Sequence, residues 1–308
     1  MTATTAMVPY DPKAAVFWSN LVEAAYSTFD NNPGNANPQP PAFPAGWSYV
    51  ATLQVDLQLL GTYYFIGWIL RGSSGQYAVV YLGTEDFEWL YDGDAWMSSH
   101  PLGGYVESGM YDMYRSLGVS TPAQPARVPF SSFLATLDTS MSITLTGHSL
   151  GGALTTYTAA DIALLPTPPA ASNLQIYSIA SPRVGDQTFV NAFNKAVINN
   201  FRIYNIRDYV PTLPPEDLGY VHVNTALPQP ELDSWQYPIY HGWDPAKAAD
   251  CYHSHAGYNY MLTALAGMTP NTGELGTCYA PQARATSVQF SRAWPPKARS
   301  LSDGGASG

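Results

Sequence analysis

Apolar and polar positions along the chain switch between two periods, and the switches mark out its elements. Over residues 11–29, apolar side chains recur at Ala15, Phe17, Trp18, Leu21, Val22, Ala25 and Tyr26, the spacing of one helix face. Residues 31–47 are rich in Asn, Pro and Gly and predict a loop. Two β-like runs, 49–60 and 63–71, flank Gly61-Thr62 and predict a hairpin. A third run, 76–83, carries Ala78, Val79, Val80 and Tyr81 in near-continuous apolar sequence, which suits a strand covered on both faces. Helical spacing is predicted over 109–117, 150–165, 187–197 and 258–267. Strand runs are predicted just before residue 148, at 173–180 and at 201–206. This β-α-β-α-β alternation predicts a parallel sheet with covering helices. Residues 211–245, with their prolines, read as loop.

Residues 85–105 stand apart. They set Phe87, Trp89, Leu90, Tyr91, Trp96 and Met97 among acidic residues and glycines. Phe87, Leu90 and Tyr91 fall on one face of a short helix, and an ordinary core helix would explain them as well as a substrate-facing segment would. Residues 1–280 read as one α/β domain. Residues 281–308 read as a C-terminal extension, disordered from about residue 295.

Composition narrows the function. Of the 308 residues 46% are apolar, enough for a sizeable core. A formal net charge of −10 with only 13 Lys and Arg argues against nucleic acid and against attraction to anionic membranes, but not against a neutral lipid surface. No apolar run is long enough to span a bilayer. The N-terminus lacks the basic and apolar regions of a signal peptide. The expectation leans to a secreted protein whose signal is not in this chain, over a cytoplasmic one. Cys251 and Cys278 are either both reduced or joined. If joined, they contribute about 3.5 kcal/mol in the chain-entropy picture.

The candidate chemistry centres on Gly147-His148-Ser149-Leu150-Gly151, between a strand and a helix with a small-residue start. This is the G-x-S-x-G pattern of a nucleophile elbow, whose corner serine needs small neighbours two positions away on each side. A serine hydroxyl needs a base, and the base needs an orienting acid. In such folds the order is Ser, acid, His. Asp208 fits, because it follows the run at 201–206 and so lies at the sheet edge that carries the elbow. Asp186 reads as a helix cap and Asp161 lies inside the elbow helix. Four histidines follow Asp208: His222, His241, His253 and His255. His253 and His255 form an H-x-H pair, but no third ligand at familiar spacing accompanies them, so no metal and no cofactor is expected. His148 reads as a packed residue of the turn.

Four segments, in order, resemble the class 3 lipases, the fungal-lipase-like branch of the α/β-hydrolases. Val80-Tyr81-Leu82-Gly83-Thr84, followed by Trp89-Leu90 and Asp92, is similar to the family's oxyanion strand and lid. Gly147–Gly151 resembles its elbow. The run from Ala180 through Ser181-Pro182-Arg183-Val184-Gly185 to Asp186 resembles its G-S-P-R-V-G-N/D block. Asn205 with Asp208-Tyr209-Val210-Pro211 and Leu213-Pro214-Pro215 resembles its N-x-x-D-x-V-P-x-L-P-P block. The resemblance implies an α/β-hydrolase fold, with a mostly parallel central sheet, an N-terminal antiparallel hairpin and helices on both faces. It implies a triad of Ser149, Asp208 and His255. His255 is preferred to His253 because the family places an aromatic three residues after its histidine, as Tyr258 stands here. It implies oxyanion donors from the N–H groups of Thr84 and Leu150. The Leu150 half also follows from its place after the nucleophile. Phe87, Trp89, Leu90 and Tyr91 become lid or substrate residues.

The implied activity is triacylglycerol lipase, on a lipid or ester substrate and at a lipid–water interface. A soluble carboxylesterase, a feruloyl esterase or a phospholipase A1 could use the same triad. Outside that class stand an acyltransferase and a non-catalytic lipid-binding member. Two positions depart from the family pattern. Leu82 stands where it usually has Arg, and Glu107-Ser108-Gly109 where it often has His-x-Gly.

Overall fold

Asp11 and Pro12 begin the first helix together. The Asp11 carboxylate accepts from the Lys13 N–H, and Pro12 occupies a position where no N–H is needed. The computed structural model describes residues 7–57, 59–84, 96–223 and 230–280. The lid positions Phe87, Trp89, Leu90 and Tyr91 and the extension 281–308 lie outside the described residues.

The elements in chain order are α1 (Pro12–Asn31), β1 (Trp47–Val55), β2 (Tyr64–Gly72), β3 (Tyr77–Tyr81), β4 (Met97–Ser99) and β5 (Tyr105–Glu107). Then come α2 (Ser108–Arg115), β6 (Gly118–Ser120), β7 (Val128–Pro129), α3 (Phe130–Leu134), β8 (Ile143–His148) and α4 (Leu150–Ala163). The chain continues with β9 (Leu174–Ile179), α5 (Gln187–Ala196), β10 (Asn199–Asn205), β11 (Glu231–Leu232), α6 (Pro245–His253) and α7 (His255–Leu265).

Among the described residues a nine-stranded sheet runs β11-β10-β9-β8-β3-β2-β1-β6-β7. Strands β3, β8, β9 and β10 are mutually parallel, and the hairpin β1–β2 extends them antiparallel through β3. Every residue of β3 and of β8 is buried, so both faces of the sheet are covered there. One helix layer is α1 with α7, packed on β2, β3 and β8. The other is α4 with α2 and α5, packed on β3, β8 and β9.

Helix α4 is almost entirely buried and is built mainly of Gly, Ala, Thr and Leu, with Tyr157 its one aromatic ring and Asp161 its one charged residue. Such a helix has no polar face to give to water and forms only when wedged between layers. Short elements make up most of what the periods did not predict. The edge strands β7 and β11, and β6 beside β7, hold two or three residues each. Helix α6 was expected to be loop at its start. The carboxylate of Asp244 caps it and Pro245 opens it. Helix α7 begins three residues earlier than expected, at His255, with Ser254 as its cap.

The two departures from the family pattern have structural uses. Leu82 is buried and its N–H donates to the Ile66 carbonyl. The Glu107 carboxylate caps α2, accepting from the N–H groups of Gly109 and Met110 at 3.0 and 2.6 Å. Burial raises the Glu107 pKa against those two bonds.

Candidate active site

Ser149 sits at the corner between β8 and α4 with φ +57° and ψ −124°, a backbone conformation few non-glycine residues adopt. The turn is closed by Ser149 N–H donating to the Ile179 carbonyl at 2.9 Å. A side chain on Gly147 would put its Cβ 2.4 Å from the Gly151 carbonyl oxygen. A side chain on Gly151 would put its Cβ 2.5 Å from the Leu82 carbonyl oxygen, so both small residues of the pattern are required. Ser149 Oγ is buried and makes no hydrogen bond among the described residues. Leu150 is the first residue of α4, so its N–H is one of those a helix leaves unbonded, at the positive end of the helix dipole. Thr84 follows β3 and lines the same cavity as His148 and His253.

Asp208 lies beyond the end of β10, as expected, and is buried. Its Oδ1 accepts from the Val210 N–H at 2.9 Å. Its Oδ2 accepts from two donors, His253 Nδ1 at 2.7 Å and the Tyr258 hydroxyl at 2.8 Å. Tyr258 in turn accepts from the Asn205 N–H at 2.8 Å. The Asn205 side chain ties down the Arg207 and Ser234 amides and the Tyr252 carbonyl. The acid is thus fixed from the strand, from the loop after it and from α7. The other two carboxylates have separate work: Asp186 caps α5, and Asp161 accepts from the Tyr114 hydroxyl at 2.7 Å.

The expectation that His255 pairs with Asp208 does not fit this geometry and is corrected. His255 Nδ1 is 2.6 Å from Glu23 Oε2, and its Nε2 is 3.2 Å from Ser19 Oγ, both on α1. The cause is the break at Ser254, where ψ is 135° between two helices. His253 ends α6 and His255 begins α7, so their rings leave the chain in different directions. Tyr258, the aromatic that favoured His255, serves the acid instead. The bond to His255 and its charge lower the Glu23 pKa against its burial. His222 and His241 bond the Pro211 and Tyr237 carbonyls.

His148 is more than packing. It is buried, with Nδ1 2.8 Å from the Tyr26 hydroxyl and Nε2 2.8 Å from the His253 carbonyl. Burial, and then the neighbouring His253 and His255, hold its pKa well below the usual histidine value. The His148 and His253 rings lie 4.8 Å apart, so the base candidate packs on the residue that precedes Ser149. Glu23, Ser19 and Tyr26 were not found from sequence. They sit on α1, and nothing local to that helix marks them.

Two cavities meet at Tyr26 and Thr84. One, of about 480 Å³, is lined by Glu23, His148, Asp250 and His253. The other, of about 210 Å³, is lined by apolar side chains including Phe29, Leu57, Phe65 and Ile66. Among the described residues no cluster of three or more His, Cys, Asp and Glu is arranged to hold a metal.

Residues 71–218, which include the elbow and Asp208, match the model of the lipase (class 3) family. Over that stretch, just under half of its length, the chain is similar to the class 3 lipase family. Among similar proteins, a lipase of Rhizomucor miehei is 41% identical over 134 residues, which is 44% of this chain and 36% of that protein. A secreted mono- and diacylglycerol lipase A of Penicillium cyclopium is 40% identical over 82 residues, 27% of this chain and 25% of that protein. The chain thus spans little more than a third of the first relative and a quarter of the second. The structure of the Rhizomucor miehei lipase–propeptide complex superposes with a TM-score of 0.52 at 25% identity, covering 68% of this chain and 65% of that one.

Proposed function

We propose that this chain is a serine carboxylic-ester hydrolase acting on acylglycerol esters through an acyl-enzyme. The observation that carries the reading is the buried Asp208–His253 pair beside a serine in a strained elbow. With Nδ1–H given to Asp208, the imidazole is held in the tautomer whose Nε2 accepts a proton. His253 then takes the Ser149 proton, and Ser149 Oγ attacks the ester carbonyl. The N–H groups of Leu150 and Thr84 receive the negative charge on the carbonyl oxygen, each worth about 3 kcal/mol of barrier. His253 protonates the leaving alcohol, and water repeats the sequence to release the acid.

The apolar cavity beside Thr84 supports an ester with a hydrocarbon chain. The name of the Penicillium cyclopium relative, a mono- and diacylglycerol lipase, supports an acylglycerol as the ester. The Cys251–Cys278 disulfide supports an oxidising destination, hence secretion. Among the described residues no helix is long and apolar enough to cross a membrane, so lipid would be met at a surface.

A lipid-like alkyl phosphonate tests the reading. It should label the wild type and not Ser149→Ala, and p-nitrophenyl ester turnover should rise from acetate to longer chains. Equal labelling of both proteins would overturn the hydrolase reading. A maximum at acetate would overturn the lipase part of it.

A further inference from the structure

Resting on the hydrolase reading, we propose that Tyr26 and His148 are positioning residues. They tie the oxyanion strand end at Gly83 to the backbone of the base, His253, through one directed chain of hydrogen bonds.

The direction follows from the chemistry of the end groups. The His253 carbonyl can only accept, so His148 Nε2, 2.8 Å away, carries the hydrogen. A neutral ring then leaves Nδ1 as an acceptor, and burial beside two other histidines disfavours the charged ring. The Tyr26 hydroxyl at 2.8 Å must donate to Nδ1. Its oxygen accepts from the Gly83 N–H at 2.9 Å. Every donor points the same way, from Gly83 through Tyr26 and His148 to His253, and bonds aligned head to tail reinforce one another.

The chain's members stand next to the groups that do the chemistry. Gly83 precedes Thr84, and His148 precedes Ser149. The approach at Gly83 is close: a Cβ there would lie 2.5 Å from the Tyr26 hydroxyl and 2.8 Å from Ser149 Cβ. His255 explains its own position in the same way. Held by Glu23 and Ser19, its ring packs 5.4 Å from Tyr26 and 5.2 Å from His148. The second histidine of the H-x-H pair is thus a buttress for the chain that serves the first.

Oxyanion donors and base come from distant parts of the sequence, and a misplacement of about 1 Å between them costs about 100-fold in rate. The chain holds that spacing and needs no proton transfer along it. Tyr26→Phe keeps the ring and removes the hydroxyl. We expect kcat on p-nitrophenyl butyrate to fall about 10- to 100-fold, with KM within about threefold of wild type. Phosphonate should still label Ser149, and the thermal unfolding transition should show a folded protein. Nitrogen-15 NMR of the wild type should show His148 as a neutral Nε2–H tautomer from about pH 5 to 8.

A Tyr26→Phe kcat within twofold of wild type overturns the proposal. So does a His148 that is charged or carries its hydrogen on Nδ1. A wild type that neither hydrolyses esters nor takes the phosphonate refutes the hydrolase reading instead. The tautomer alone then decides the chain, upheld by Nε2–H and overturned by Nδ1–H.

Discussion

His253 and His255 carry the same side chain, each against a carboxylate, and differ in what lies beyond the ring. Behind His253 is Asp208, fully enclosed and already bonded to Tyr258 and Val210. Behind His255 is Glu23, partly open to solvent, with Ser19 in the middle of a helix. Ser19 is wholly buried in α1 and has no strained turn to present it. Alanine substitution separates the two rings. His253→Ala should lower kcat by about 10⁴-fold or more, as losing the base of a triad does. His255→Ala should cost about tenfold or less in kcat but about 1–3 kcal/mol in stability, because Glu23 loses its partner and Tyr26 its support. Steady-state kinetics with urea unfolding of both variants checks this, and the reverse ranking in kcat would return the base to His255. The placement of Ser149 at a strand-to-helix corner and of Asp208 past a strand end was legible because both are local patterns. The choice between histidines two positions apart was not, because it depends on one backbone break at Ser254.

At the scale of elements, the segment from α6 to Cys278 is where sequence said least and structure adds most. Asp244 and Pro245 were the available signal for α6, an N-cap followed by proline, but the prolines and aromatics before them read as loop. The helix is short, and its last turn must hold His253 against Asp208. The disulfide helps: Cys251 lies two residues before His253, and Cys278 closes the chain after α7, with a sequence separation of 27. Cross-linking a loop of that size stabilises by about 3–4 kcal/mol in the chain-entropy picture. Replacing both cysteines with alanine should lower the urea-extrapolated stability by about that amount. A change under about 1 kcal/mol would mean that packing of α7 on α1 already fixes the segment. Elements such as α1 and β3 needed no such help to be read, α1 from its helical period and β3 from a near-continuous apolar run. Strands β6, β7 and β11 are too short for any period, and only pairing on a formed sheet defines them.

The whole molecule encloses histidines that water would charge in mild acid, and this sets the pH dependence of its stability. His100 accepts from the Leu102 N–H through Nδ1, and burial lowers its pKa to about 4. Burial and then Arg202 lower that of His222 to about 3. His148 is lowered as well. In the unfolded chain each takes its proton near pH 6.5. Between that pH and the folded values, the unfolded state binds protons that the folded state refuses. Stability therefore falls as pH falls from about 6.5 toward 4, by about 1.4 kcal/mol per pH unit for each histidine fully in its window. Glu107 and Asp161, raised by burial, act in the opposite sense and flatten part of the curve. Glu23, lowered by its bond to His255, adds to the loss once pH drops below its unfolded value. The test is urea unfolding at pH 7, 6, 5 and 4 for wild type and His100→Asn, which keeps an acceptor for Leu102 but cannot titrate. The variant should lose less stability than wild type between pH 6 and 5, by about 1 kcal/mol. Parallel curves would show that His100 is charged in the fold or that Asp161, 4.0 Å from its Nε2, takes up the proton in its place.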